Sequence, residues 1–160
     1  MKRLIIALLI MIFAISCGDS KTADSSSDSS IKMETVSAGF VDKLKEEYKG
    51  KTLIVNFFAS WCPPCRGETP DFIAAYEKYK DSNFVIVGIS VDKKVKEAVK
   101  FVDEFKVTYP VYHGDSSLGS EMNISTIPTS IIYKPDGKLF DITVGPLTAK
   151  ELDIIAGSFK

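Results

Sequence analysis

Reactive and metal-binding side chains are scarce in this chain of 160 residues, which has three cysteines, one histidine and one tryptophan. A structural zinc centre takes four ligands. One CxxC pair and the lone His113 do not supply them. Basic runs are missing as well. Without Lys2 and Arg3 the chain has 18 basic residues against 21 acidic ones, which excludes the cationic face that nucleic acid requires. There is no internal repeat and no nucleotide-binding glycine pattern, and Gly88-Ile89-Ser90 is only a fragment inside a strand. The apolar run Leu4 to Ile15 is twelve residues long, and crossing a bilayer takes about twenty.

What is there centres on Trp61-Cys62-Pro63-Pro64-Cys65, which follows the apolar run Leu53-Ile54-Val55 and Phe57-Phe58 and opens a helical segment. Two cysteines three apart at a strand-to-helix turn can close a small disulfide and reopen it. Unpaired amides and the macrodipole at a helix N-terminus favour a negative sulfur. Lowering a thiol pKa from about 8.5 to about 7 raises its thiolate at neutral pH from a few per cent to about half. The competing reading, half of a zinc site, lacks its other ligands. Dithiol redox chemistry is the reading taken.

The third cysteine belongs to a different feature. Lys2 and Arg3 form a basic start, Leu4 to Ile15 suits the apolar core of a signal peptide, and Ala14-Ile15-Ser16-Cys17 follows. These last four residues resemble a bacterial lipobox, with Ala14 standing where leucine is usual. The resemblance implies a leader over residues 1–17 and lipidation of Cys17. A plain secretory signal is the alternative, and both readings take the domain out of the cytoplasm. Gly18 to Ser30 has no large apolar residue and is rich in Ser, Asp and Lys. Residues 18–35 are expected to be a flexible tether reaching roughly 20–25 Å, and residues 36–160 one domain.

Within that domain, periodicity predicts a helix over Ser37 to Tyr48, ended by Gly50, and a buried strand over Thr52 to Phe58. A helix over Pro63 to Lys80 tolerates two prolines in its first turn and should bend at Pro70. Phe84 to Val91 reads as a central strand. Asp92 is expected to cap a helix reaching Phe105, burying Val95, Val99, Val102 and Phe105. A short strand over Pro110 to Tyr112 and a short helix over Ser116 to Met122 follow. Thr129 to Tyr133 and Lys138 to Val144 flank the turn Pro135-Asp136-Gly137, so they read as an antiparallel hairpin. Thr148 and Glu151 form a capping box for the last helix.

Val55-Asn56-Phe57-Phe58-Ala59-Ser60-Trp61-Cys62-Pro63-Pro64-Cys65-Arg66 closely resembles the active-site phrase of the membrane-anchored TlpA/ResA-like branch of thioredoxin-fold proteins. Pro70 and Thr126-Ile127-Pro128-Thr129 fit the same pattern. The resemblance implies an α/β thioredoxin fold, a central mixed sheet flanked by helices. The 35 residues between Asp92 and Pro128 match that branch's extra helix and strand.

The resemblance also implies roles. Cys62 is the exposed attacking thiol and Cys65 the shielded resolving one, together forming the redox-active disulfide, with no other cofactor and no metal. Trp61 packs beside the dithiol as an apolar wall, with Pro63 and Pro64 beside it facing the substrate. Pro128 is cis and presents the backbone of Ile127 to an extended partner; from the residues alone it reads as a strand-leading turn. Asn56 stands where thioredoxins bury an aspartate and cannot accept a proton. Glu68, one helical turn after Cys65, resembles a glutamate of this branch and is expected to take the Cys65 proton. A solvated first-turn glutamate is the alternative. His113 reads as a solvated loop residue rather than a copper ligand, and Arg66, Lys93, Lys94 and Lys96 as solvated helix faces.

The function implied is a thiol-disulfide oxidoreductase of the cell envelope, a monomer tethered through Cys17. It would reduce exported proteins, as in cytochrome c maturation, and draw electrons from a membrane dithiol donor. Disulfide formation or isomerisation is an alternative, as is a Cu(I) or haem chaperone using the same dithiol. A peroxidase is disfavoured, because Ala59 stands where peroxiredoxin-like sites place a threonine.

Overall fold

The computed structural model describes residues 32–159; the leader, Cys17 and the tether up to residue 31 lie outside the described residues. Six strands form one sheet: β1 (Thr35–Val36), β2 (Thr52–Phe58), β3 (Phe84–Ser90), β4 (Val111–Gly114), β5 (Thr129–Tyr133) and β6 (Leu139–Val144). Five helices, α1 (Phe40–Glu47), α2 (Pro63–Tyr79), α3 (Val95–Phe105), α4 (Ser116–Glu121) and α5 (Ala149–Gly157), are interspersed among them. The strand order is β1-β4-β3-β2-β5-β6. β2 pairs parallel to β3 and antiparallel to β5, so the sheet is mixed, as expected. Among the described residues, no helix is long and apolar enough to cross a membrane.

Every residue of β2 and β3 is buried, because helices cover both faces of the central strands. Side chains alternate across a strand. Leu53, Val55 and Phe57 therefore meet Leu44 of α1 and Leu118 of α4 on one face. Ile54 turns to the other face, against Phe72 of α2 and Leu152 of α5. Asn56 has the parity of Ile54, so β2 aims its amide at α2. The active-site turn leaves the C-terminal end of β2, where a parallel strand passes its chain to a helix.

Several elements differ from the sequence reading. α1 starts at Phe40 rather than Ser37, because Gly39 has φ +81°, outside helical space. Thr35, expected in the tether, pairs with His113, and Val36 is buried beside β4. β4 runs to Gly114, where an added Cβ would lie 2.8 Å from Ile89 Cγ2, so only glycine lets the strand approach β3 this closely. α3 begins at Val95 and has no side-chain cap. It buries Ala98, Phe101 and Val102, while Val95 is exposed and Val99 and Phe105 are half-buried. Phe101 sets this orientation by packing on Phe58, with ring centroids 5.0 Å apart. The hairpin of β5 and β6 and the Thr148–Glu151 capping box form where expected.

Candidate active site

Cys62 is the N-cap of α2, and its sulfur accepts from the Cys65 amide at 3.3 Å. Pro63 and Pro64 take the first helical positions, where an N–H has no intrahelical partner to lose. Cys62 and Cys65 are joined in a disulfide, their Cα atoms 5.3 Å apart. The Ile127–Pro128 bond is cis, and the Ile127 carbonyl oxygen lies 3.8 Å from Cys62 Sγ. Two chain segments 65 residues apart thus meet at the disulfide.

Two expectations about this surface need correction. Cys62 is only 3% exposed. In the disulfide its sulfur turns inward to Cys65, within a cluster containing Phe58, Ala59 and Phe101. Trp61 is not a packed wall; it is 65% exposed. It stands at the rim of an open groove of about 1050 Å³ that Val91, Lys93, His113, Ile124 and Ile127 also line. Pro63 and Pro64 are exposed beside it, and Pro128 is buried under the loop.

Glu68, three residues after Cys65 in α2, is buried, which removes the solvated alternative. Its Oε1 accepts from Asn56 Nδ2 at 2.9 Å, and its Oε2 from the Leu147 amide at 3.0 Å. Asn56 also donates to Ser130 Oγ at 3.1 Å. Burial pushes the Glu68 carboxyl up to about 7, against the opposing pull of the Leu147 and Asn56 donors. Such a group exchanges its proton readily at neutral pH. The buried Tyr109 phenol is also held above its usual range, first by burial and then by the Glu68 charge.

A second polar group, unanticipated in this role, is hydrogen-bonded to the turn. Asp92 does not cap α3. Its carboxylate accepts from Ser60 N at 3.0 Å, Ser60 Oγ at 2.8 Å and Ser90 Oγ at 2.7 Å. His113 is on β4 and half-buried, not in a solvated loop. Its Nε2 donates to the Asp92 carbonyl at 2.8 Å, which leaves Nδ1 to accept from Thr35 Oγ1 at 3.3 Å. Arg66 is not a plain solvated side chain either. It donates to Ser60 O at 3.3 Å, pairs with Glu104 and lies 4.8 Å over the Phe105 ring. Lys93, Lys94 and Lys96 are exposed, as expected. Among the described residues, no group of three or more His, Cys, Asp or Glu side chains is placed to hold a metal.

Ser60, Ser130 and the Leu147 amide were not singled out from sequence. Asp92 was, but only as a helix cap. A serine next to the CxxC turn and an aspartate ending a strand were visible signals; the Leu147 donor is main chain and leaves none.

Comparisons agree with this geometry. Residues 30–142 match the AhpC/TSA family. Thiol-disulfide oxidoreductase ResA of Oceanobacillus iheyensis is 33% identical over 67% of this chain and 56% of its own length. Sporulation thiol-disulfide oxidoreductase A of Bacillus subtilis is 32% identical over 65% of this chain and 66% of its own. The chain therefore spans less than two thirds of the length of either. The crystal structure of a thioredoxin-family thiol:disulfide interchange protein from Chlorobium tepidum superposes with a TM-score of 0.66. It is 33% identical, and the match covers 70% of this chain and 81% of that one. StoA from Bacillus subtilis superposes with a TM-score of 0.61 at 31% identity, over 67% of this chain and 83% of its own. With a CxxC disulfide capping α2 and a cis-proline beside it on a mixed sheet, the chain belongs to the AhpC/TSA family and carries the thioredoxin fold.

Proposed function

We propose that this chain is a thiol-disulfide oxidoreductase of the cell envelope that reduces disulfides of exported proteins through Cys62 and Cys65. The observation that carries the reading is the Cys62–Cys65 disulfide at the α2 N-terminus, with the Ile127 carbonyl 3.8 Å from Cys62 Sγ. In the reduced state the Cys62 thiolate attacks one sulfur of the client disulfide. A Cys62–client bond forms, the client S–S bond breaks, and the other client sulfur leaves and is protonated by solvent. Cys65 passes its proton to the Glu68 carboxylate and attacks Cys62 Sγ. The intramolecular disulfide closes, and the second client sulfur leaves as a thiolate. Two electrons pass to the client, and a membrane dithiol donor restores them.

Client binding falls to Trp61, Pro63 and Pro64 at the rim and to the Ile127–Pro128 loop, where the backbone of Ile127 suits an extended chain. Pro63 and Pro64 remove amides that would otherwise stabilise the thiolate, and no cation stands between the cysteines, so the net direction is reductive. The names of the relatives support the reaction class. Lys2, Arg3, the twelve apolar residues and Ala14-Ile15-Ser16-Cys17 support export and a lipid anchor at Cys17. Apocytochrome c is one client class this reading includes, and the working form is a monomer.

Cys65→Ser tests the reading. The variant is expected to hold clients as mixed disulfides through Cys62, visible as reducible adducts in the envelope fraction. A variant that traps nothing, together with a wild-type protein that cannot reduce insulin, would refute it.

A further inference from the structure

Asp92 is 3% exposed, and its three hydrogen-bond donors come from the redox turn and the end of β3. A buried carboxylate is costly unless it is hydrogen-bonded. This one is satisfied by Ser60, two residues before Cys62, although the N-terminus of α3 lies close by in sequence and has no side-chain cap. The cap is given up and the redox turn receives the carboxylate instead. The same loop is clamped from its other side, where the Asp92 carbonyl accepts a hydrogen bond from His113 Nε2. Arg66 closes the turn by donating to Ser60 O.

We propose that Asp92 is a positioning residue of the redox turn. Through Ser60 it fixes where Cys62 sits at the α2 N-terminus, and its negative charge behind the turn opposes the Cys62 thiolate. This rests on the dithiol-exchange reading given above and deepens it, by naming a group that sets the poise of the pair. The helix N-terminus draws the thiolate down and Asp92 holds it up, which suits a dithiol that gives electrons away. The other ionisable groups near the turn are Glu68, buried one helical turn after Cys65 and held by Asn56 and the Leu147 amide, Arg66, which is paired with Glu104, the exposed Lys93, and His113, which is engaged by Asp92 O and Thr35.

Two substitutions separate this role from simple support of the fold. Asp92→Asn keeps an oxygen for the Ser60 donors and removes the charge. Ser60→Ala keeps the charge and removes one donor that neutralises it. In the reduced protein, Cys62 alkylation by iodoacetamide near pH 6.5 is expected to rise about two- to fivefold in Asp92→Asn and to fall in Ser60→Ala. The equilibrium with glutathione should move by a similar factor, toward the dithiol in the first variant and toward the disulfide in the second. A purely structural role would move both variants the same way, and that result overturns the proposal. So does a folded Asp92→Asn with the wild-type rate and equilibrium. If Asp92→Asn does not fold, Ser60→Ala decides: slower alkylation supports the proposal and a wild-type rate ends it. Wild-type insulin reduction, measured alongside, reports on the dithiol-exchange reading separately.

Discussion

At the scale of the residue, the site rests on two buried carboxyl groups placed differently around one turn. Glu68 faces two donors inside the α2–α5 layer, and burial still lifts it to about 7. The fold therefore prefers the protonated acid, whereas the unfolded chain ionises it near 4.5. Between those values the native state binds more protons, so stability is full below about pH 4.5 and declines as pH rises toward 7. The loss attributable to this group is on the order of 3 kcal/mol. Glu68→Gln should abolish that slope. Denaturant unfolding at pH 5 and pH 8 is the measurement, and an unchanged slope in the variant would remove Glu68 as its source. Asn56 can rotate its amide to meet the new side chain, since it carries both a donor and an acceptor.

Cys62, Cys65, Glu68 and Asn56 could be located from sequence because each lies within one strand or one helical turn of the CxxC, although Cys62 is buried where an exposed thiol was expected. Their partners were not legible for the opposite reason. Ser130 and Leu147 stand 74 and 79 residues from the groups they contact, and only the sheet brings them near. Asp92 was misread because an aspartate before a helix is ordinarily a cap, and the competing donor, Ser60, is 32 residues away.

At the scale of the element, strands and turns were the most legible features. β2 and β5 have the expected bounds, since short β-branched and aromatic runs closed by turn residues leave few alternatives. The apolar stripe of α3 was legible but its buried edge was not: Val95, Ala98, Val99, Phe101, Val102 and Phe105 share one side, and contact of Phe101 with Phe58 turns that side so that Val95 is left exposed. β4 runs past its expected end at Tyr112 to Gly114, whose missing Cβ leaves room for Ile89 of β3. Gly114→Ala should cost about 1–3 kcal/mol, because the new methyl meets Ile89, which is fully buried and cannot withdraw. Thermal unfolding would show it, and a variant as stable as the wild type would mean that β4 shifts outward without penalty.

At the scale of the whole molecule, the sheet is asymmetric in its protection. One edge is the two-residue β1, too short to recruit another strand. The other is β6, six residues long, with Leu139, Phe140, Ile142 and Val144 about half exposed or more. Long apolar edges invite edge-to-edge pairing unless a charge interrupts them, and within β6 only Asp141 does so. Ile142→Lys should reduce association at high concentration, change stability by no more than about 0.5 kcal/mol and leave disulfide exchange unaltered. Light scattering across a concentration series, beside an insulin assay, measures both. Unchanged scattering would show that the edge is already harmless.

The Leu147 amide that steadies Glu68 has a practical corollary for anyone mapping the protein by mutagenesis. Because the donor is peptide nitrogen, alanine at that position leaves it intact and registers only a thinner core. Proline alone deletes it, so a conventional scan would score the residue as packing and overlook its grip on the acid.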